Sequence, residues 1–420
     1  MRILILNQYF YPDLASTAQL LTELSEDLAL HHHVSVVCGR PSYDPIEKHD
    51  VRGLVFPELH GRVRVLRTWS TSFRRASMAG RLANYGTYIS SSLAGAMRAG
   101  RPDVVLAMTD PPVIAAAAAL TARLRDVPFV YVVQDLFPQV GVALGKIRNR
   151  TLIRSLEALN RSLRHRASAV VAIGRDMAAR LRTLGVPESK LRIIPNWCDG
   201  SIVRPLDGRS KLRTELGLDG RFVVMHSGNV GFSQELDTLL DAATALRNDP
   251  EIHFLVVGGG AARPSLETRA RARRLANVTF LGYRPKVELS DALGAADLHV
   301  VGLRRGLEGL IVPSKMYGVM AAGKPFIAAV DRRSEIALVV EETGCGIRVE
   351  PGDVTQLAST IAEVRHEEGR LAGMGRRGRS RLESEFERSR ATGAYRDLLQ
   401  SLVRGSGSSW EASTDSPTDG

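Results

Sequence analysis

The sequence predicts an α/β protein made of two successive doubly wound domains, each with a parallel β-sheet. Short apolar, β-branched runs alternate with longer segments of helical periodicity along most of the 420 residues. Continuous apolar strands separated by helices are typical of parallel sheets covered on both faces. The alternation stops once near the middle of the chain and then starts again. At about 150 residues per domain, the length also favours two or three domains.

The first half of the chain carries seven predicted strands, with helices between several of them. The strands are predicted at 2–6, 34–38, 63–67, 104–108, 129–133, 169–173 and 191–194. The helices are predicted at 16–29, 112–125 and 149–166. The segment that begins at Pro195-Asn196-Trp197 is less periodic up to about Arg209, and we interpret it as the interdomain linker.

The second half repeats the pattern. Its strands are predicted at 222–227, 253–258, 278–281, 298–302, 325–329 and 346–349, and its helices at 234–247, 286–295, 315–322 and 354–368. We therefore expect a first domain at 1–198, a second at 199–385 and a closing helix at 386–404. Residues 405–420, GSGSSWEASTDSPTDG, offer no core residues and are expected to be a disordered tail.

Composition excludes several classes of protein. With 44% hydrophobic and 24% charged residues, the chain is too apolar to be disordered as a whole. Its three cysteines, Cys38, Cys198 and Cys345, lie too far apart for a disulfide scaffold or a zinc ribbon, which favours a reducing compartment. No apolar run reaches the roughly 20 residues of a membrane span, and the first residues read as a buried strand rather than a signal peptide. We expect a cytoplasmic protein.

The positive charge is concentrated in two segments of the first half. Residues 62–101 carry eight arginines and no acid, and residues 145–166 carry seven basic residues and one acid, in a chain of formal net charge +11. This asymmetry predicts an anionic partner. No nucleic-acid recognition motif accompanies it, whereas apolar residues at helical spacing from Phe73 to Met97 favour the anionic inner face of the plasma membrane. The alternative is an arginine-rich composition with solvated helix faces.

Two segments of the second half are candidates for binding phosphate. Ser227-Gly228-Asn229-Val230-Gly231 lies between a strand and a helix, where glycines let the backbone approach an anion. A tight turn without function explains the same residues. Gly258 and Gly260 lack the third glycine of a dinucleotide fingerprint, since residue 263 is arginine, and no Walker motif occurs. Nicotinamide and flavin enzymes are therefore disfavoured.

The densest group of polar residues lies between Gly302 and Pro325. It contains Arg304, Arg305, Glu308, Ser314 and Lys315 around a predicted strand end and a new helix. A lysine in the first helical turn opposes the helix dipole, which suggests that a bound anion outweighs the local cost. A diphosphate between the Gly228-Asn229 turn and Ser314-Lys315 would satisfy these groups.

The chain up to about residue 404 resembles the retaining family-four, or group 1, glycosyltransferases, which have the GT-B fold of two Rossmann-like domains facing a central cleft. The resemblance is carried by YPD at 11–13, ASTAQLLT at 15–22, QDLFP at 134–138, IPNW at 194–197, SGN at 227–229 and VPSKMYG at 312–318. The set is similar to the enzymes of exopolysaccharide and O-antigen synthesis, including the fucosamine and colanic-acid transferases.

The resemblance implies roles for particular residues. In the second, donor-binding domain, Gly228, Asn229, Ser314 and Lys315 match diphosphate contacts. In the first, acceptor domain, Ser16 and Thr17 match the loop that closes over the donor phosphate, and Asp135 matches a position near the reacting centre that is often histidine. Glu308 resembles the first glutamate of the E-x7-E motif, and Tyr283 is a candidate contact of the uracil ring. The alternatives are a helix-capping carboxylate for Asp135 and a plain loop carboxylate for Glu308.

Two departures from the family pattern concern the donor. Gly318 stands where relatives carry the second glutamate, which grips the ribose. Asn229 and Gln234 stand near the first diphosphate turn in place of the usual arginine and lysine, so Lys315, Arg304 or Arg305 must meet the phosphate charge.

The implied activity is transfer of a sugar, of the N-acetylhexosamine type, from a UDP-linked donor to a lipid-linked or glycan acceptor in cell-surface polysaccharide synthesis, with retention. No Asp-x-Asp occurs, so we expect no metal and no cofactor: helix N-termini and cations would stabilise the leaving diphosphate, and Asp135 would accept or relay the acceptor's proton. The alternatives are a nucleotide-sugar epimerase of the same fold and a non-catalytic scaffold subunit.

Overall fold

The chain folds into two compact units, in a computed structural model that describes residues 1–13, 15–41, 53–71 and 78–411. The first unit comprises Met1–Gln139, Ile147–Pro195 and Ser389–Gly420, and the second comprises Val140–Lys146 and Asn196–Arg388. Both units are therefore discontinuous in sequence, unlike the uninterrupted domains expected at 1–198 and 199–385. The C-terminal helix belongs to the first unit because the chain returns to it after the second.

The first unit is a sheet with helices on both faces. Its strands are β1 (Arg2–Leu6), β2 (His33–Cys38), β3 (Val55–His60), β4 (Val63–Thr68), β5 (Val104–Ala107), β6 (Phe129–Val133), β7 (Ala169–Ala172) and β8 (Leu191–Ile193). Its helices are α1 (Ser16–Ala29), α2 (Met78–Arg98), α3 (Ile114–Arg125), α5 (Arg150–Arg166), α6 (Arg175–Thr183) and the C-terminal α15 (Arg388–Glu411), while the short α4 (Gln139–Ala143) begins where the chain passes to the second unit.

The eight strands of the first sheet follow the order β3-β4-β2-β1-β5-β6-β7-β8. All neighbours are parallel except β3 and β4, which form an antiparallel hairpin at one edge. The chain order reverses between β1 and β5, and doubly wound sheets bind ligands beyond the carboxyl ends of the strands at such a point. The predicted parallel α/β class is confirmed, and the edge hairpin is the exception.

The second unit repeats the architecture with six strands. They are β9 (Phe222–Ser227), β10 (Ile252–Val257), β11 (Val278–Leu281), β12 (Leu298–Gly302), β13 (Phe326–Ala329) and β14 (Gly346–Val349). Its helices are α7 (Lys211–Glu215), α8 (Leu236–Ala245), α9 (Arg263–Ala272), α10 (Leu289–Gly294), α11 (Lys315–Ala321), α12 (Glu335–Thr343), α13 (Val354–Val364) and α14 (Glu368–Arg381).

The second sheet is parallel throughout, in the order β11-β10-β9-β12-β13-β14, and its chain order reverses between β9 and β12. Buried side chains of β9, β10 and β12 pack against α8 and α13 on one face, around Phe254 and Ile361. On the other face Met225 and Leu255 pack against α7 and α10. Burial on both faces explains why these strands are largely apolar in the sequence.

The C-terminal helix is longer than expected. It was predicted to end near residue 404, but α15 is continuous to Glu411, so residues 405–411 of the expected disordered tail are helical. Once the buried turns around Tyr395 and Leu399 have nucleated the helix, each further residue adds a backbone hydrogen bond at little extra cost. Residues 412–420 lie outside the described part of the chain.

Candidate active site

Glycines allow two turns of the second unit to touch each other. Gly228 follows β9 with φ +110°, and Gly258 follows β10 with φ +133°. A Cβ atom at Gly258 would lie 1.9 Å from the Gly228 carbonyl oxygen. Hydrogen bonds from the Gly228 N–H to the Val257 carbonyl (2.8 Å) and from the Val230 N–H to the Gly259 carbonyl (2.8 Å) join the turns. The Gly258–Gly260 motif, which lacks the third glycine of a dinucleotide fingerprint, therefore supports the Gly228 turn.

Lys315 lies against this turn. It is the first residue of α11, and a Cβ atom at Gly228 would lie 3.2 Å from its Cε. Burial lowers the pKa of the Lys315 ammonium to about 8. In the described part of the chain, no carboxylate forms an ion pair with it. The site thus holds a partly buried cation against a glycine turn, which is an arrangement that favours an anion.

His226 is a buried histidine close to the charge of Lys315. It is fully buried at the end of β9, and its two ring nitrogens face the carbonyls of Val300 and Asn229, each at 3.4 Å. Burial, and secondarily the positive charge of Lys315, lowers its pKa to about 3. The imidazole is therefore neutral at neutral pH and adds no charge to that of Lys315.

The polar residues that replace the family's basic pair shape the turn. The Asn229 side chain packs against Gly260, where a Cβ atom would lie 2.5 Å from its Oδ1. Gln234 accepts a hydrogen bond from the Gly231 N–H through Oε1 (2.9 Å). The Arg304 N–H donates to the Ser233 carbonyl (2.8 Å), and the Arg304 side chain is exposed. The Gly228-Asn229 turn is thus in contact with Lys315 at the start of α11, and the Arg304 backbone is bonded to the loop that follows this turn.

Tyr283 and Ser314 complete the predicted donor set. The Tyr283 hydroxyl donates to the Gly259 carbonyl (3.0 Å), and its ring edge covers that glycine, while 42% of the side chain stays exposed. Ser314 precedes α11 without a side-chain capping hydrogen bond, so its hydroxyl does not close the helix. Ser314 precedes Lys315 in the chain and Tyr283 contacts the adjoining Gly259 turn, and the roles of both remain predictions.

Glu308 is engaged within its own loop. Its Oε2 accepts from the Gly306 N–H (2.8 Å), and its Oε1 lies 3.3 Å from a guanidinium nitrogen of Arg333. The Glu308 carboxylate is thus paired with an exposed arginine, which fits the alternative of a plain loop carboxylate. A catalytic role for Glu308 is not tested by these contacts. Gly318 lies in α11, where a Cβ atom would meet only Leu293 Cδ1 at 3.6 Å. Packing does not require glycine at this position.

In the first unit, Thr17 binds a carboxylate that the sequence analysis missed. Thr17 lies in the first turn of α1, next to Ser16, and its hydroxyl donates to Asp110 Oδ2 at 2.7 Å. Asp110 follows β5, and its carbonyl accepts from the Gln8 N–H beyond β1 (2.7 Å). Asp110 therefore stands at the reversal point of the sheet. The available signal was Asp110-Pro111-Pro112 directly after a buried strand.

Asp135 is the neighbour of Asp110. It follows β6, and the Thr109 hydroxyl accepts from the backbone N–H groups of Gln134 (3.1 Å) and Asp135 (3.2 Å). Burial, and secondarily the Asp110 charge, raises the pKa of Asp135 to about 7. Burial also raises the pKa of Asp110, against the opposing effect of the Thr17 hydrogen bond. The first unit thus holds two coupled carboxyl groups, of which Asp135 titrates near neutrality.

Three observations concern metal binding and membrane association. Within the described ranges, no three His, Cys, Asp or Glu side chains converge in a way that could hold a metal ion. No described helix has the length and hydropathy needed to cross a bilayer. Of the basic segments, Arg74 and Arg75 lie outside the described residues, Arg164 is buried, and Arg150, Arg154 and Arg161 are exposed on α5.

Two successive doubly wound α/β units are the architecture of the GT-B glycosyltransferases. Residues 16–197 match the family described as "Glycosyl transferase 4-like domain", and residues 208–381 match "Glycosyl transferases group 1". The chain belongs to the group 1 glycosyltransferase family.

Two relatives and one solved structure are similar to this chain over more than half of its length. The chain is 32% identical to the probable glycosyltransferase WbjE of Pseudomonas aeruginosa over 269 residues, 64% of this chain and 67% of that one. It is 27% identical over 375 residues to the putative colanic acid biosynthesis glycosyl transferase WcaI of Escherichia coli, covering 87% and 92%. Anabaena Alr3699/HepE, solved in complex with UDP and glucose, matches with a TM-score of 0.72 at 19% identity, over 96% of this chain and all of that one.

Proposed function

We propose that the chain transfers a sugar from a nucleotide-diphosphate donor to a lipid-linked or glycan acceptor, with retention at the anomeric carbon and without a metal ion. The donor is UDP-linked and its sugar is of the N-acetylhexosamine type. The names of WcaI and WbjE support a role in cell-surface polysaccharide synthesis, and the UDP complex of HepE supports the choice of nucleotide.

The observation that carries the proposal is the contact of Lys315 with the Gly228 turn. Three carbons of the Lys315 stem lie 3.2–3.8 Å from the position that a Cβ atom of residue 228 would take, so glycine lets the lysine approach the backbone of this turn. A diphosphate oxygen placed there meets an ammonium group whose burial already costs free energy, so binding the anion relieves that cost. Asn229, Ser314 and Tyr283 border the same position.

In the proposed reaction the bond between the anomeric carbon and the diphosphate oxygen breaks, and the bond from the acceptor oxygen to that carbon forms on the same face. The leaving diphosphate takes the bonding electron pair, and Lys315 and backbone N–H groups stabilise its charge. The acceptor hydroxyl gives up its proton, which Asp135 accepts in its ionised form or relays to the leaving oxygen. A pKa of about 7 leaves a large fraction of Asp135 ionised at neutral pH, as a base requires.

We further propose that basic segments 62–101 and 145–166 hold the protein at the anionic inner face of the plasma membrane, where a lipid-linked acceptor resides. The exposed Arg150, Arg154 and Arg161 of α5 support this, because the helix presents several cations on its solvent side.

The first test is titration of UDP into the wild type and into Lys315→Met. The variant should bind at least tenfold more weakly, because methionine keeps the stem and removes the charge. Lys211→Met, an exposed lysine of the same unit, should bind like the wild type. Absence of UDP binding to the wild type would favour the scaffold alternative.

The second test is transfer from a panel of UDP-sugars to a polyprenyl-diphosphate acceptor, with the anomeric configuration of the product read by NMR. Inversion would contradict the proposed mechanism. Conversion of the donor to another UDP-sugar without an acceptor would identify an epimerase instead.

A further inference from the structure

We propose that the first unit binds a phosphate group in a second pocket, at the amino ends of β1, β2 and β4. The pocket is lined by the guanidinium-bearing residues Arg2, Arg62, Arg64 and Arg101 together with His33 and Ser35. Asp110 and Asp135 follow the carboxyl ends of β5 and β6, so this pocket lies at the opposite edge of the same sheet. It is a different site from the one proposed for transfer.

The pocket exists because α2 ends before it has covered its face of the sheet. Gly95 of α2 packs on Val37 and Thr68, since a Cβ atom there would lie 3.1 Å and 2.9 Å from their methyl groups. From Gly95 to the end of the helix at Arg98, α2 advances only about 4.5 Å. From Val37 back to His33, β2 extends about 13 Å. The amino ends of the strands therefore project past the helix.

Strand periodicity determines which side chains are left on this uncovered face. Side chains two residues apart point to the same side, so His33 and Ser35 share the face of Val37, and Arg62 and Arg64 share the face of Thr68. Parallel pairing sets Arg64 opposite Ser35, and Arg2 opposite His33. At the strand positions that a longer α2 would cover, adjacent strands carry arginines instead of apolar residues. Arg101, in the connection from α2 to β5, closes the group.

The charge in the pocket is unbalanced. No acidic side chain is among its described lining residues, and across the described chain no carboxylate pairs with Arg62, Arg64 or Arg101. Arg2 is in part engaged by Asp103, at 3.5 Å between side chains. Clustered guanidinium groups repel one another, and a bound anion removes that repulsion. Arginine forks match the tetrahedral oxygens of phosphate, which accept paired hydrogen bonds.

The cavity has room for a phosphate and part of the group attached to it. Its volume is about 260 Å³, compared with about 30 Å³ for a water molecule in the liquid. The phosphate has two possible sources: the head group of an anionic phospholipid, or a soluble phosphorylated small molecule. Only the lipid source rests on the membrane association proposed above, and the pocket itself does not depend on it.

Isothermal titration with inorganic phosphate, at constant ionic strength, tests the pocket directly. The titrations use the full chain carrying Lys315→Met, which weakens phosphate binding at the proposed donor site and keeps the two hypotheses separate. Adding Arg62→Gln and Arg64→Gln should weaken the remaining binding at least tenfold. The matched control, Arg123→Gln with Arg180→Gln, removes two exposed arginines of the same unit and should change it less than twofold. Equal affinities for the two double variants, or no phosphate binding, would overturn the proposal.

Arg64→Lys provides a second, conservative variant. Lysine keeps the charge but not the planar fork, so binding intermediate between the wild type and Arg64→Gln supports direct coordination of the phosphate. Loss in Arg64→Lys equal to that in Arg64→Gln is also consistent with a coordinating fork. Wild-type phosphate affinity in both variants would show that Arg64 does not coordinate the phosphate and would overturn the assignment.

Vesicle flotation distinguishes the two sources. The wild type, the pocket variant and the arginine control are floated with vesicles of phosphatidylglycerol and phosphatidylcholine, and with phosphatidylcholine alone. Greater loss of phosphatidylglycerol binding in the pocket variant than in the control identifies a lipid head group. Equal vesicle binding, with phosphate binding still dependent on Arg62 and Arg64, identifies a soluble ligand. UDP binding by the pocket variant, without Lys315→Met, should equal that of the wild type.

Discussion

Replacing Asp135 by asparagine should remove a pH dependence of stability that the wild type shows between about pH 4 and pH 7. In the folded chain, burial and the neighbouring Asp110 charge raise the pKa of Asp135 from 3.8 to about 7. In the unfolded chain the carboxyl returns to its ordinary value. The folded state therefore holds the proton more tightly. The contribution to stability is complete below pH 4 and is lost as the pH rises through 7.

The size of the effect follows from the two pKa values. A change from 3.8 to about 7 corresponds to about 4 kcal/mol as an upper bound. Because Asp135 is only partly buried, water screens its charge, and about 2 kcal/mol is the working expectation. Asparagine cannot ionise, so position 135 of the variant contributes no pH dependence to the free energy of unfolding. The stability of the variant relative to the wild type should therefore be lowest at pH 4 and highest above pH 7.

Denaturant unfolding of both proteins at half-unit steps from about pH 4 to about pH 8.5, followed by fluorescence and circular dichroism, measures this difference. Asp126→Asn, at an exposed position of the same unit, is the control and should differ from the wild type by a constant amount. Asp110→Asn should move the wild-type transition toward lower pH, because it removes the secondary cause of the raised pKa. A gap between Asp135→Asn and the wild type that stays constant with pH would refute the reasoning.

Three further changes test other parts of the molecule. Gly258→Ala should destabilise the second unit by more than about 2 kcal/mol in denaturant unfolding, because its Cβ atom would lie 1.9 Å from the Gly228 carbonyl; Gly282→Ala, with nothing within 4 Å, is the control. Gly318→Glu should raise thermal stability by about 0.5 kcal/mol through helix propensity and tighten UDP binding in titration, and weaker binding would argue against a ribose contact there. Sugar transfer should be unchanged by EDTA, and restoration of lost activity by Mg²⁺ would contradict the metal-free mechanism.

Strand positions were predictable wherever both faces of a strand are buried. β1, β9 and β12 have the bounds expected from the sequence, since each is a largely apolar run. β3 was not predicted. Its sequence, VFPELH, contains a proline and polar residues, and several of its side chains are exposed because it pairs on one side only. An edge strand of this kind leaves little trace in hydropathy.

The association of Lys315 with the Gly228 turn was predictable and the carboxyl pair was not, for a topological reason. Gly228 and Lys315 could be associated because a glycine turn after a strand and a lysine at a helix start both favour phosphate. Asp110 reads as the start of a proline turn, and its meaning depends on β5 and β6 being adjacent in the sheet. Strand order is set by packing of the whole unit. The ion pair of Glu308 with Arg333 likewise joins residues from two different loops.

The Asp110–Asp135 pair offers a physical reason for an aspartate at a position where the resembling family often has histidine. Burial and the Asp110 charge bring the pKa of Asp135 to about 7. For a histidine at this position, burial would lower the pKa from its ordinary value near 6.5 and the same carboxylate would raise it. Both side chains can therefore titrate near neutral pH, and they differ in charge by one unit. In the proposed mechanism, the ionised aspartate places a negative charge in the first unit as positive charge develops on the sugar, whereas neutral histidine would not. Asp135→His should therefore keep the pH range of transfer and lower its rate, and a variant as fast as the wild type would show that proton affinity alone matters.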